Sequence, residues 1–227
     1  MRDQSAFNED NMAFYKQLRE EGKKLNQRVT RLLSRQAVTE CAKKLRMLKK
    51  GVLAFEEQMM MDVLMDYCIY NHRYRHGGQN TARIFADEAR PSPGSLDHTL
   101  IQAMLGAWYS VFGVVEVIED RGVILLDLLS EREIPLIDRG LGSTAVRYLM
   151  LAGRILPMPG FCMTAGAFLP LDPELMKSEG FALIERVRRS RHIDEHGRLA
   201  PGLEAAFAAS MIRLALRSQN AGKVAYV

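Results

Sequence analysis

The chain has 227 residues, of which 48% are hydrophobic and 26% are charged. This composition is typical of a globular chain that buries a core, and it excludes general disorder. The longest apolar runs fall far short of the roughly 18 residues that a membrane-spanning helix needs, so we expect no span. Three cysteines without a CxxC pair, and an N-terminus without an apolar leader, predict a cytoplasmic protein.

Positive charge is concentrated near the N-terminus. Residues 1–50 hold 13 Lys and Arg against 6 Asp and Glu, whereas residues 51–227 carry a net charge of −3. A basic segment of this kind is either a solvated helix face or a surface that meets an acidic partner such as nucleic acid. The residues expected to contact phosphates in the second case are Arg28, Arg31, Arg35, Lys43, Lys44, Arg46, Lys49 and Lys50.

The N-terminal half has a helical periodicity of apolar residues. A first helix is predicted from about residue 9 through the stripe that ends at Leu32, and Asn8 or Asp10 is its expected cap. Ser34 separates it from a second helix, so the pair has the order of a helix-turn-helix. The later helices are predicted over Ala37–Lys49, Glu56–Tyr70, Thr81–Ala89 and Leu96–Ala107.

At Trp108 the pattern changes to short runs rich in Val, Ile, Leu and aromatic residues, each bounded by turn residues. These runs predict a curled five-stranded antiparallel sheet or a small barrel. Pro173 and Pro201 then begin two C-terminal helices. The fold class is therefore α+β, and we expect regions 1–107, 108–172 and 173–227 to form one integrated domain. The predicted strands are 109–118, 122–129, 133–138, 146–156 and 161–169.

The third predicted helix carries polar residues on one face. Asp62, Asp66 and Tyr70 are spaced by four residues, and Arg73 continues the same face. We call these four residues the polar row. Such a row is either a structural network of ion pairs and hydrogen bonds or the lining of a functional cleft. In the second case, His72 and Arg75 are expected at its rim.

Motifs of known catalytic chemistry are not convincing in this chain. Residues 192–196 spell HxxEH, which in zinc peptidases supplies two histidine ligands and a glutamate base. Gly197 and Pro201 would end such a helix at once, so we expect no metal and no cofactor. The sequence also lacks a GxSxG nucleophile motif and the glycine-rich motifs that bind nucleotides.

Four pieces of the chain share a pattern with other sequences. They are AKKLRMLKKGVLAFEE, the set Asp66, Tyr67, Tyr70, Arg73 and Arg75, the segment from Val115 to Leu129, and LAGRILPMPGFCMTAGAFLPL. Together these pieces resemble a group of uncharacterised bacterial proteins. The resemblance is to the region that precedes the SEC-C motif in SEC-C-containing proteins. No cysteine cluster follows Cys162, so we expect the SEC-C tail itself to be absent. The resemblance implies a bacterial origin and no particular activity.

From these observations we expect a non-enzymatic protein that binds another macromolecule or itself. Nucleic-acid binding through residues 1–50 is the first alternative, and an enzyme with its site along the polar row is the second. Two apolar helical stripes are compatible with a helix-in-groove contact or a homo-oligomer, and they are equally compatible with the core of this chain. These stripes are residues 14–32 and Leu203, Phe207, Met211 and Leu214.

Overall fold

The computed structural model describes residues 4–49, 52–53, 58–74, 78–166, 168–190, 192–194 and 196–217. A 3₁₀ turn at Ser5–Phe7 precedes the helices of the N-terminal half. Two short paired strands, β1 (Leu48–Lys49) and β2 (Val52–Leu53), lie between the second and third helices. The five helices are α1 (Glu9–Thr30), α2 (Arg35–Leu45), α3 (Gln58–Asn71), α4 (Thr81–Ala89) and α5 (Leu96–Leu105).

Polar side chains fix where these helices begin. The side chains of Asn8, Ser34, Asn80 and Ser95 each accept a hydrogen bond from a backbone N–H in the first turn of the helix that follows. The prediction that α2 extends to Lys49 is wrong. Its last residue is Leu45, because Arg46 takes a left-handed backbone conformation with φ of 60° that ends the helix.

The middle of the chain forms a closed barrel of five strands, and a sixth short strand pairs with it. The barrel order is β3, β4, β5, β7, β6, and β6 pairs back with β3 to close the ring. The short strand β8 pairs with β6. The strands are β3 (Trp108–Ile118), β4 (Gly122–Asp127), β5 (Glu133–Ile137), β6 (Met150–Met158), β7 (Phe161–Thr164) and β8 (Leu169–Pro170).

The predicted curled sheet is confirmed, but one of its pairings is not antiparallel. The segment after β5 forms a helix, α6 (Arg139–Thr144), where a tight turn was predicted. After this helical crossover the chain continues into β6, which pairs antiparallel with β3. The next strand, β7, pairs in parallel with β5. The Asp138 side chain caps α6 by accepting from the Leu141 N–H, which stabilises the crossover.

The two C-terminal helical segments lie close to their predicted positions. The first consists of α7 (Pro173–Leu175), a π-helical turn (Met176–Gly180) and α8 (Phe181–Arg188), and the second is α9 (Pro201–Leu216). A core cluster joins α2, α3, strands of the barrel, α8 and α9, so all three predicted regions contribute to it. No helix in the described ranges is long and apolar enough to cross a bilayer.

The two apolar stripes proposed as docking faces lie inside the chain. Leu18 and Val29 of α1 are fully buried, and so is Met211 of α9. The first stripe packs mainly against α5, α3 and α4, and the second packs against α3, α2 and the barrel. Of the two interpretations of these stripes, the structure supports the core, because their apolar side chains complete the core of this chain.

Candidate functional site

A buried arginine on the barrel organises the most polar part of the interior. Arg154 lies in β6, and only 1% of its side chain is exposed. Its Nε donates to Asp66 Oδ2 at 3.2 Å, and its Nη1 donates to Glu204 Oε1 at 2.8 Å. Its Nη2 donates to Asn71 Oδ1 at 2.7 Å. We call Arg154, Asp66, Glu204 and Asn71 the Arg154 network.

Three different elements bring these side chains together. Asp66 and Tyr70 are one turn apart on α3, so both face the barrel. Arg154 is paired with Tyr109 across β3 and β6, and its guanidinium lies 4.4 Å from the centre of the Tyr70 ring. Glu204 reaches the network from the first turn of α9. The aromatic faces stabilise the cation, because a ring face is negatively polarised.

Burial and neighbouring charges shift the pKa values of the Arg154 network in opposite directions. Burial raises the pKa of Asp66 above its ordinary value, and Arg154 reverses only part of that effect. Burial alone would lower the pKa of Arg154, but the carboxylates of Glu204 and Asp66 outweigh it and raise the pKa. Arg154 is therefore a permanent cation, whereas Asp66 takes up a proton more readily than an exposed aspartate.

Two buried oxygen atoms of this region have no hydrogen-bond partner among the described residues. They are Asp66 Oδ1 and the Tyr109 hydroxyl oxygen. Buried polar atoms are rarely left without a partner, because the loss of hydration costs about 1–3 kcal/mol. Asp66 Oδ1 lies beside Gly166, where an added Cβ would come within 3.9 Å of it. Both Asp66 and Gly166 line a pocket, so this oxygen is a candidate acceptor for a bound molecule.

This pocket, which we call the Asp66 pocket, has a volume of about 410 Å³. Its floor is apolar, and its wall on α3 carries Asp62 and Asp66. Arg19 and Lys23 border it from α1. Volumes of roughly 300–1,000 Å³ with an apolar lining and a few polar groups are typical of small-molecule sites. The apolar residues of the floor are Leu18, Leu25, Met65, Ile69, Leu100, Met104, Leu156 and Met163.

A second pocket of about 320 Å³ lies on the other side of Tyr70. We call it the arginine pocket, because Arg73, Arg83, Arg154 and Arg198 all line it. Tyr70 lines both pockets. Arg154 therefore connects a carboxylate of one pocket, Asp66, with a carboxylate of the other, Glu204.

The structure does not bring the whole polar row into one site. Asp62, Asp66 and Tyr70 line the Asp66 pocket, whereas Arg73 lines only the arginine pocket. Arg73 is exposed, and its Nη1 donates to the Gly78 carbonyl at 2.7 Å. The row is therefore divided by Tyr70 between two pockets.

The two expected rim residues of the polar row do not join it. His72 is buried and faces α2, where its Nδ1 lies 4.0 Å from Glu40 Oε2. Its ring also meets the Tyr74 ring edge to face. Burial lowers the pKa of His72, which favours the neutral imidazole. Arg75 lies outside the described residues.

The basic residues of α1 and α2 do not form a helix-turn-helix. The helix α1 packs mainly on α5, whereas α2 packs on α3 and α9. Arg28 forms an ion pair with Asp97 at 2.8 Å and lies over the Phe85 ring. Lys50 and the side chain of Lys49 lie outside the described residues. The other candidates are exposed: Arg35, Lys43 and Lys44 lie on α2, and Arg31 and Arg46 directly follow α1 and α2.

The residues that the sequence did not reveal are Arg154, Glu204, Asn71 and Tyr109. Arg154 had a usable signal, since it is the one charged residue of β6, an otherwise apolar strand. A lone charge in a buried strand requires a partner of opposite sign. Glu204 gave no such signal, because an acidic residue in the first turn of a helix is ordinary.

The HxxEH segment does not form a metal site in the described part of the chain. His192 and His196 are both exposed, and Glu195 lies outside the described residues. The Nδ1 atom of His196 is 3.0 Å from Arg132 Nη1, a cationic neighbour. Within the ranges that the structure describes, no group of three His, Cys, Asp or Glu residues is arranged to hold a metal ion.

The chain is thus an α+β protein in which helices cover a small closed barrel and border two pockets beside a buried arginine. It belongs to a family of unknown function, DUF7986, whose match covers residues 9–189. No curated protein and no solved structure matches it. The family match includes Asp66 and Arg154, whereas Glu204 lies beyond its end.

Proposed function

We propose that this protein binds a small molecule in the Asp66 pocket. The observation that carries the proposal is the partnerless Oδ1 of Asp66, a residue that lines a pocket of about 410 Å³. The other carboxylate oxygen of Asp66 is held by Arg154, so the side chain has a fixed orientation. A preorganised acceptor beside an apolar floor is an arrangement that gives small-molecule sites their specificity.

The pocket favours a ligand with an apolar body and a group that donates a hydrogen bond. The floor is formed by leucine, isoleucine and methionine side chains, and methionine adapts to ligands of irregular shape. Asp62 lies one turn away from Asp66 on the α3 side, whereas Arg19 and Lys23 lie on the α1 side, so a donor group is favoured at the α3 side of the pocket. A protonated primary amine fits this wall best, and a hydroxyl is the next best donor.

Two glycines leave the space that such a ligand needs. Gly22 lies in the middle of α1, where glycine is unfavourable by about 0.5–1 kcal/mol relative to alanine. An added Cβ at Gly22 would contact only Leu100 Cδ2, at 3.9 Å. Gly166 borders the pocket from the segment after β7. A larger side chain at Gly22 would extend into the pocket and would be compatible with the helical backbone of α1.

The test compares three ligands of nearly equal size by saturation-transfer NMR. They are 2-phenylethylamine, 2-phenylethanol and 3-phenylpropanoate. We expect the amine to bind most tightly and the carboxylate least tightly. The Asp66→Asn variant should bind the amine at least about tenfold more weakly, since one charged hydrogen bond is worth about 1.5–3 kcal/mol.

Two further variants make the comparison specific. Gly22→Leu should remove binding of all three ligands while circular dichroism shows an intact fold. Asp10→Asn is the matched control, because Asp10 is an exposed aspartate of α1 outside the pocket. It should bind the amine like the wild type. The proposal fails if the carboxylate binds best, or if Gly22→Leu binds the amine normally.

Binding of a macromolecule or of a second copy is a second candidate function. It is favoured by two exposed apolar residues between α6 and β6, Val146 at 63% and Tyr148 at 76% exposure. Isolated exposed apolar residues are common, so this support is narrower than that for the pocket. Sedimentation velocity tests it: a concentration-dependent dimer that Tyr148→Ser abolishes supports self-association, and a monomer at all concentrations opposes it.

The remaining alternatives rest on fewer observations. Nucleic-acid binding is supported by the surplus of positive charge in residues 1–50 alone. An enzymatic role would use Asp66 as its acid–base group, since its pKa is raised by burial. A bacterial origin and a relationship to SEC-C proteins rest on the resemblance of sequence pieces. Cytoplasmic location rests on the three free cysteines.

A further inference from the structure

The arginine pocket has an excess of positive charge. Arg154 and Glu204 neutralise each other in part, because they form an ion pair at 2.8 Å. Arg83 is paired with Asp87 at 3.5 Å. Within the described residues, neither Arg73 nor Arg198 has a carboxylate within ion-pair distance, so two positive charges at the pocket are not compensated by a direct partner.

Those two arginines are held in place by neutral groups. Arg73 donates to the carbonyl of Gly78 at 2.7 Å. The guanidinium of Arg198 lies 5.2 Å from the centre of the Trp108 ring. A guanidinium has five N–H donors, so both side chains keep donors for a ligand. Positioned cations with free donors are a common basis for anion recognition.

The N-terminal end of α9 adds to the positive potential of this pocket, and the N-terminal end of α4, which Asn80 caps, also borders it. Asn80 and Arg83, at the beginning of α4, line it, and so do Pro201 and Glu204 at the beginning of α9. No side chain caps the N-terminus of α9 among the described residues. The exposed N–H groups of a helix N-terminus favour bound anions, and phosphate groups in particular.

We propose that the arginine pocket binds the phosphate group of a small phosphorylated molecule. Four arginines and the start of α9 line a volume of about 320 Å³, which is large enough for the phosphate group of a small molecule. A phosphate dianion carries more charge and more acceptor oxygens than a monocarboxylate, so it can use more of the donors that Arg73 and Arg198 keep. This site does not depend on the Asp66 pocket.

Trp108 allows a direct test. It is the single tryptophan of the chain, and it lines the arginine pocket. Inorganic pyrophosphate is added at constant ionic strength while the tryptophan emission is recorded. We expect a saturable change, and we expect acetate at the same ionic strength to bind at least about tenfold more weakly.

Affinities of the variants are measured by isothermal titration calorimetry, because Arg198→Gln changes the surroundings of the fluorophore. Arg73→Gln and Arg198→Gln should each weaken pyrophosphate binding by about tenfold or more. The matched control is Arg189→Gln, which removes an arginine that is 82% exposed and pairs with Glu185 outside this pocket. It should bind pyrophosphate like the wild type.

Three results would overturn the proposal. The first is the absence of saturable pyrophosphate binding. The second is binding of acetate as tight as that of pyrophosphate at the same ionic strength. The third is an equal loss of affinity in Arg189→Gln and Arg198→Gln, because binding would then follow the overall charge. Normal pyrophosphate binding in Gly22→Leu is expected, so failure here is distinct from failure at the Asp66 pocket.

Discussion

Replacement of Arg154 by methionine is the sharpest test of the buried network. Methionine keeps much of the apolar length of the side chain, but it removes all three hydrogen bonds of the guanidinium. The carboxylates of Asp66 and Glu204 then stay behind with only 11% and 13% of their side chains exposed. Removal of one partner from a buried ion pair costs about 3–5 kcal/mol.

The expected loss is therefore about 3–5 kcal/mol at pH 7, out of the roughly 5–15 kcal/mol that stabilise a domain of ordinary size. The loss is measured by urea unfolding, monitored by circular dichroism. A lower urea midpoint shows a loss of stability, provided that the dependence of the free energy of unfolding on urea is unchanged. Arg147→Met is the control, because Arg147 is exposed. It should change the free energy of unfolding by less than about 0.5 kcal/mol.

A second variant keeps the test decisive if Arg154→Met does not fold. The triple variant with Asp66→Asn and Glu204→Gln removes the two charges together with their partner. It should be more stable than Arg154→Met, because no buried ion is left uncompensated. The reasoning is refuted if Arg154→Met lies within about 1 kcal/mol of the wild type, or if the triple variant is less stable than the single one.

Three further predictions concern other parts of the same structure. Because burial raises the folded-state pKa of Asp66, the native state holds this proton more tightly than the unfolded chain does. The stability of the wild type relative to Asp66→Asn should therefore rise as the pH falls from 7 towards the ordinary value of 3.8, and urea titrations that give the opposite slope would contradict this. Gly153→Ala should cost about 1–3 kcal/mol or more by urea unfolding, since its Cβ would lie 2.1 Å from the buried Phe168 ring; a change below about 0.5 kcal/mol would show that the ring moves freely. Burial raises the pKa of the Cys162 thiol to about 12 and the other two cysteines are buried, so Ellman's reagent at pH 8 should react slowly with native protein and with three thiols in urea; rapid reaction of the native protein would contradict this.

The elements of this fold were predictable because local signals mark them. Asn8 and Ser34 cap α1 and α2 as their residue types suggest, and the change of hydrophobic period at Trp108 marks the first strand of the barrel. The parallel pairing of β5 with β7 was not predictable in this way. This pairing depends on the helical crossover at Arg139–Thr144. The two glycines of that segment are typical of a turn, so the local sequence does not predict the crossover.

The site was predictable only on the helix that carries it. The spacing of Asp66 and Tyr70 places both on one face of α3, and periodicity is sufficient to show that. Arg154, which binds Asp66, and Glu204, which binds Arg154, are 88 and 138 residues from Asp66 along the chain. Contacts of such separation follow from the topology, and no local pattern encodes them.

The central claim, that a ligand occupies the Asp66 pocket, is tested most directly through its methionines. Met65, Met104 and Met163 line the pocket, whereas Met176 and Met211 are buried elsewhere. In protein labelled with ¹³C at the methionine methyl groups, 2-phenylethylamine should shift the three pocket signals together and with one saturation curve. Unmoved pocket signals, or equal shifts at all five methionines, would contradict the account.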